Sequence, residues 1–158
     1  MTPTGTNLLG LLKHASSVQR EYFGEVFGRP GGRQMPWMAQ DAPRDADMWA
    51  TAGETRAQLL EFAEFSDRHS DETIEALPLD AVGQVPWWPA ERRQVTLHQI
   101  LVHMCLETAR HAGHADIIRE LIDGPTGNGP LDPNVSHRTP EEWAAYRAEL
   151  QAAVRTGS

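Results

Sequence analysis

The sequence of 158 residues has little of what disulfide-rich, nucleic-acid-binding and membrane proteins require. It contains a single cysteine, Cys105, and such usage is typical of a reducing compartment. Its formal net charge of -8 argues against nucleic acid as a partner, because phosphate binding needs a basic face. No apolar run approaches the roughly 20 residues of a membrane-spanning helix. Residues 1–7 lack the charged start and the cleavage site of a signal peptide, so we expect a cytoplasmic protein.

The sequence also lacks alternating runs of β-branched residues, so no strand is predicted. Apolar residues recur instead with helical spacing. They predict four helices, near residues 6–27, 51–77, 96–123 and 139–155. Three of these helices begin with a capping box, in which a threonine and an acidic or amide side chain three residues later bind the backbone. The boxes begin at Thr51, Thr96 and Thr139. A chain of this length forms one domain, so a single all-α domain is predicted over residues 1–158.

Two long segments between the predicted helices contain tryptophans. Residues 28–50 hold two of them, and residues 78–95 hold Trp87 and Trp88. Loops of this length in a compact domain are commonly functional or disordered, and tryptophans argue against disorder. The indoles either close the ends of a helical bundle or form the wall of a pocket beside the histidines of the third predicted helix.

That helix carries the main chemical signal, because His103, Glu107, His111 and His114 recur at spacings of four, four and three. At about 100° per residue, all four fall within one quarter of the helix surface, on the side of its apolar stripe. A buried carboxylate costs several kcal/mol unless it is paired or binds a metal, so Glu107 needs a cationic partner. Glu107 and His111 are one turn apart and are close enough to chelate one divalent ion.

A catalytic site of this type takes three protein ligands and keeps a position open. The third ligand must come from another helix, and His14 is the best candidate because it borders the apolar face of the first predicted helix. His103 and His114 are each a ligand, a residue that orients a ligand, or a polar rim residue. Arg110 lies beside the same face and either holds an acidic substrate or pairs with Glu107.

Other polar residues receive simpler interpretations. Glu21 is seven residues after His14, shares its side of the helix and is a candidate hydrogen-bond acceptor near it. Cys105 lies on the opposite side of its helix from the histidines and is expected to be a structural thiol. His69 and His137 are expected to be solvated.

Several segments together resemble the DinB-like superfamily. They are residues 5–14 (GTNLLGLLKH), the turn at 22–30, residues 85–89 (VPWWP), and residues 96–98 with 107–116 (ETARHAGHAD). More narrowly, they resemble an actinobacterial-type branch related to mycothiol-dependent maleylpyruvate isomerase. The resemblance implies a four-helix bundle with long tryptophan-containing loops. It also implies a metal held by a histidine of an early helix and by a Glu and His pair of a later one. Carried over by motif, the ligands are His14, Glu107 and His111.

The resemblance implies a thiol S-transferase or isomerase in which a divalent ion activates a thiol that attacks an electrophile. Zinc is the expected ion and nickel is the alternative. Because Cys105 is on the wrong side of its helix, we expect the thiol to be a small molecule such as mycothiol. Arg110, Trp87 and Trp88 are the candidate contacts for the bound small molecules. A metal-activated water that performs hydrolysis, and a non-catalytic metal-binding or stress-associated protein, remain as alternatives.

Members of the superfamily usually have a long helix before the Leu-Leu-Gly-Leu segment, which lies near the start of this sequence. The fourth helix of the bundle is therefore expected from residues 139–155, from a partner subunit or from upstream sequence. We predict a homodimer, because apolar surface that lacks this helix needs a cover.

Overall fold

The computed structural model describes residues 2–129 and 132–156. The described part of the chain is mostly helical, as predicted. Its helices and strands are α1 Leu8–Phe23, α2 Arg56–Ala76, β1 Val82–Gln84, β2 Gln94–Thr96, α3 Leu97–Asp123 and α4 Pro140–Thr156. Single turns of 3₁₀-helix lie at Glu25–Phe27, Pro36–Met38 and Ala90–Arg92.

Helix α1 is central, because it packs against both α2 and α3. It begins where the Asn7 side chain accepts a hydrogen bond from the backbone N–H of Gly10, at 2.8 Å. Gly10 also lets the helix approach the loop before α2, since a Cβ there would lie 2.1 Å from the backbone oxygen of Met48. The loop that connects α1 to α2 is therefore held against the first turn of α1.

The predicted start of α2 at Thr51 is wrong, because the capping box that starts this helix is formed by Thr55 and Gln58. The Glu54 side chain does accept a hydrogen bond from the backbone N–H of Thr51. That bond closes a turn and no helix follows it directly. The boxes at Thr96 and Thr139 are confirmed as the starts of α3 and α4.

The absence of strands is also wrong. Strands β1 and β2 form an antiparallel pair in which Val82, Gly83 and Gln84 lie opposite Thr96, Val95 and Gln94. β2 leads directly into α3, so the hairpin fixes where that helix begins. The main core cluster joins the hairpin to α1 and α3 and includes Tyr22, Phe23, Val26, Val85, Val95, Leu97, Ile100 and Met104.

A four-helix bundle is not confirmed. Helix α4 meets the C-terminal end of α3, where Trp143 and Tyr146 line a cavity together with Glu120 and Gly124. Along the rest of α4 the described side chains are exposed. Within residues 2–129 and 132–156, no helix is both long and apolar enough to cross a membrane.

Candidate functional site

The three predicted ligands lie together between α1 and α3. The ring centroids of His14 and His111 are 4.6 Å apart. The Glu107 Oε2 atom lies 3.6 Å from His111 Nε2. With Val18 and Met104, these side chains line a cavity of about 10 Å³. Two helices that are far apart in sequence therefore bring the three residues to one place.

Asp47, in the loop between α1 and α2, is a contact of His14 that sequence reasoning missed. Its Oδ2 atom lies 2.5 Å from His14 Nδ1, and both side chains are largely buried. The hydrogen bond from His14 holds the pKa of Asp47 below its usual value, although burial opposes this effect. Because Nδ1 faces Asp47, the His14 Nε2 atom is left for another partner. Asp47, and not the candidate Glu21, is therefore the described hydrogen-bond acceptor of His14.

The surroundings of His111 lower its pKa. Burial lowers its pKa most, and the nearby charge of His14 lowers it further, whereas Glu107 opposes the shift. Its Nδ1 atom is buried and has no hydrogen-bond partner in the described structure. A neutral imidazole with an unused ring nitrogen is the form that binds a metal ion.

The donor types of this trio suit a divalent ion, but their positions do not converge on one. Two imidazoles and a carboxylate are a donor set that zinc uses in proteins. In the part of the chain that the structure describes, however, no group of three or more His, Cys, Asp or Glu side chains is arranged to hold a metal ion. The rings of His14 and His111 meet edge to face, and the cavity between them is at the lower limit for one water molecule. Rotation of side chains is needed before the donors face a common point.

Trp87 and Trp88 are anchored by a buried hydroxyl group. Both indole N–H groups point at the Tyr22 hydroxyl oxygen, at 3.4 Å for Trp87 and 3.0 Å for Trp88. The His103 ring lies 4.7 Å from the Tyr22 ring and 5.3 Å from Trp88. The tryptophans therefore cover the α1–α3 contact around His103, one helical turn before Glu107. Trp87 keeps about half of its surface exposed.

The other predicted residues lie around the trio. The Arg110 guanidinium is 3.8 Å from Glu107 Oε1, too far for a hydrogen bond, and its side chain is exposed. The His114 ring is 5.3 Å from that of His111. Cys105 lies on the opposite side of α3, but it is exposed, so the expectation of a structural thiol is wrong. His69 is also not solvated as expected, since it stacks on Phe65 and its Nε2 atom is buried without a partner.

Comparison with known proteins identifies the family and nothing narrower. No curated protein and no solved structure matches the chain. The mycothiol S-transferase family model matches residues 1–124, from the start of the chain to the end of α3. All three predicted ligands and Asp47 fall within the match, and α4 falls outside it. With more than half of its length matched, the chain belongs to the mycothiol S-transferase family, in the DinB-like superfamily.

Proposed function

We propose that the protein is a metal-dependent enzyme that transfers mycothiol to an electrophile. The observation that carries the proposal is the adjacency of His14, Glu107 and His111, with a buried ring nitrogen unpaired, in a chain of the mycothiol S-transferase family. Zinc is the proposed ion because the donor set is nitrogen and oxygen, and nickel is the alternative.

A bound divalent ion would supply the positive charge that lowers the pKa of a thiol. His14 and His111 would each offer a neutral imidazole nitrogen, and Glu107 would offer a carboxylate whose charge partly offsets the ion. Asp47 accepts the hydrogen bond from His14 Nδ1 and so keeps the Nε2 lone pair available. In the transfer, a bond forms between the thiol sulfur and the electrophilic carbon. The thiol proton goes to solvent, and any leaving group departs with its bonding electrons.

We propose that the small molecules reach the site from the side on which Arg110 and Trp87 are exposed. Arg110 has an exposed cationic side chain next to Glu107 and is suited to an anionic group. Trp87 and Trp88 lie in the loop before β2, beside His103, which is one turn before Glu107 on α3. Their indole rings are suited to apolar or sugar surfaces. Cys105 opens onto the other side of α3, so the reacting sulfur is proposed to belong to mycothiol and not to the protein.

The test is a measurement of metal content joined to an activity assay. Protein from metal-replete medium is analysed for metal, and a panel of electrophiles is offered with and without mycothiol. His14→Ala, Glu107→Gln and His111→Ala should each lose both metal and activity. His103→Ala and His114→Ala are the matched controls, since both lie on the same face of α3 but outside the trio. Full occupancy in Glu107→Gln, with loss in His114→Ala, would move the site to the histidines.

A non-catalytic metal-binding role is the second candidate, and the small cavity favours it. A site that leaves only about 10 Å³ has little room for a substrate unless its side chains move. The same assay separates the two functions. Stoichiometric metal without turnover of any electrophile supports the non-catalytic role, whereas mycothiol-dependent turnover excludes it.

We also propose that a second copy of the chain covers an apolar groove between α1 and α3. The groove has a volume of about 480 Å³, and small side chains such as Ala109 and Ala112 form part of its lining. Next to it, α3 exposes Val102 and Leu106. When two copies of α3 pack side by side, Val102 and Leu106 of each copy can lie over Ala109 and Ala112 of the other. A two-fold dimer needs this kind of self-complementary surface.

A further inference from the structure

Arg20 of α1 is a buried cation that lies, with Phe65 and His69 of α2, around Gly31. It is 6% exposed, and its buried Nε atom has no hydrogen-bond partner. None of the ion pairs among residues 2–129 and 132–156 includes it. Lys13, two turns earlier and equally buried, is bonded to both carboxylate oxygens of Glu54. The charge of Arg20 acts on the neighbouring Glu21, but among the described residues Arg20 forms no hydrogen-bonded ion pair like that of Lys13. A buried charge without such a pair is unfavourable.

The unpaired guanidinium lines an open cleft. The cleft has a volume of about 600 Å³ and lies between α1 and the loop at residues 30–39. Gly31 permits close approach of that loop, since a Cβ there would lie 3.0 Å from Arg20 Nε. A volume of this size accommodates a small organic molecule.

Charges on the cleft walls limit what that molecule can be. Arg33 contributes a second guanidinium, which pairs with the exposed Glu61 at 3.1 Å. Glu21 and Glu25 contribute carboxyl groups on the α1 side. Burial and then the charge of Glu25 raise the pKa of Glu21, and the charge of Arg20 opposes the shift. Two carboxyl groups on the wall repel a polyanion, whereas a molecule with a single negative charge and neutral polar groups meets less repulsion.

The cleft and the candidate metal centre are both lined in part by residues of α1. Glu21 is two turns after His14 on the same side of α1, and the charges of Asp47 and His14 both influence its pKa. Six residues of α1, a rise of about 9 Å, separate His14 from Arg20, so we place the reactive end of a molecule anchored at Arg20 toward His14.

We propose that this cleft binds the carboxylate of a small monoanionic substrate, and that Arg20 is its anchor. The molecule would carry hydroxyl or amine groups that bind Glu21 and Glu25. The inference rests on the proposed function only in assigning this molecule as the electrophile that receives the thiol.

Lactate is a suitable probe, because it combines one carboxylate with a hydroxyl group, and lactamide is its neutral counterpart. Binding is measured by calorimetry and by the rise in melting temperature, at constant ionic strength with sodium chloride as reference. Lactate should stabilise the wild-type protein, and lactamide should not. Equal effects of lactate, lactamide and chloride would overturn the proposal.

Three variants test whether lactate binds in the cleft at Arg20. Arg20→Met removes the charge at similar volume and should weaken lactate binding by about tenfold or more, the value of a hydrogen bond to a charged group. Its melting temperature without lactate should not fall, because the unpaired charge is gone. Arg68→Met, which removes an exposed arginine outside the cleft, should bind like wild type. If Arg20→Met fails to fold, the Gln34→Glu variant tests whether lactate binds in the cleft. It adds a negative charge at an exposed residue of the cleft, so the affinity for lactate should fall about threefold or more.

The outcomes separate this proposal from the metal proposal. His111→Ala should lose metal and keep lactate binding, whereas Arg20→Met should keep metal and lose lactate binding. Lactate binding that is unchanged in both Arg20→Met and Gln34→Glu would refute the anchor, whatever the metal analysis shows.

Discussion

The hydrogen bond between His14 and Asp47 gives the sharpest test of how the site is built. Asp47→Asn keeps the size of the side chain and an oxygen that accepts from His14 Nδ1, but removes the negative charge. Both side chains are largely buried, at 19% and 16% exposed, so solvent screens the pair only weakly. Because charge-assisted hydrogen bonds are roughly twice as strong as neutral ones, the metal-free variant should lose about 1 kcal/mol of unfolding free energy.

The effect on metal binding should be larger. Residues that orient a metal-ligating histidine typically contribute 10–100-fold in affinity, which corresponds to about 1.4–2.7 kcal/mol. Titration of zinc against a competing chelator measures this affinity, and urea denaturation measures the stability of the metal-free protein. The matched control is Asp45→Asn. Asp45 is exposed in the same loop at a φ of 59°, a conformation that asparagine also adopts.

An Asp47→Asn variant with the metal affinity and stability of the Asp45→Asn control would refute this reasoning. It would show that the short contact between Asp47 and His14 does not orient a ligand. A variant that loses stability but keeps its full metal affinity would assign Asp47 to holding the loop against α1, and another acceptor would then have to orient His14.

Two further predictions concern stability and assembly. Glu54→Gln leaves the buried Lys13 without a charged partner and should cost about 2–3 kcal/mol in urea denaturation, against less than about 1 kcal/mol for Glu61→Gln in an exposed pair. Burial raises the pKa of Glu54, but hydrogen bonds from Lys13 and Thr51 outweigh this effect and lower the pKa below 4.5. The wild-type protein should therefore lose stability as the pH falls through the lowered pKa. The Glu54→Gln variant lacks this titrating group and should lose less stability over the same pH range. Leu106→Glu should shift light scattering from dimer to monomer, whereas Leu79→Glu, at another exposed leucine, should not. A wild-type monomer at high concentration would contradict the proposed interface.

Local chemistry explains which helix boundaries could be predicted. The start of α3 follows from Thr96 and Gln99, because a capping box is satisfied by residues three apart and needs no tertiary contact. At α2 the sequence offers two such boxes in succession, and the structure uses the second. Glu54 of the first box is recruited by Lys13, 41 residues away, and this contact cannot be read from local spacing. The two strands were missed because three residues are too few to show alternation.

The candidate site was predictable where it depends on helical periodicity. His111 and Glu107 lie on the buried side of α3 because residues four apart share a face, and His14 lies opposite because α1 packs its apolar side on α3. Asp47 was not predictable, since it comes from a loop whose path is set by close packing of Met48 against Gly10. The loop contains other aspartates, and nothing in their spacing distinguishes the one that meets His14.

The buried polar groups of α1 and α3 are of two kinds. Those that are paired within the chain stabilise the fold, and those without a partner are candidates for ligand binding. Lys13 is fully compensated by Glu54, so its charge is used within the folded chain and leaves no demand for a ligand. Among the described residues, Arg20 Nε and His111 Nδ1 are buried without hydrogen-bond partners, as is His69 Nε2 on α2, although native proteins satisfy nearly all such groups. Arg20 is one of the residues that line the cleft, and His111 is one of those that line the cavity beside His14. We propose that ligands complete the environments of Arg20 and His111, an anion at Arg20 and a metal ion at His111.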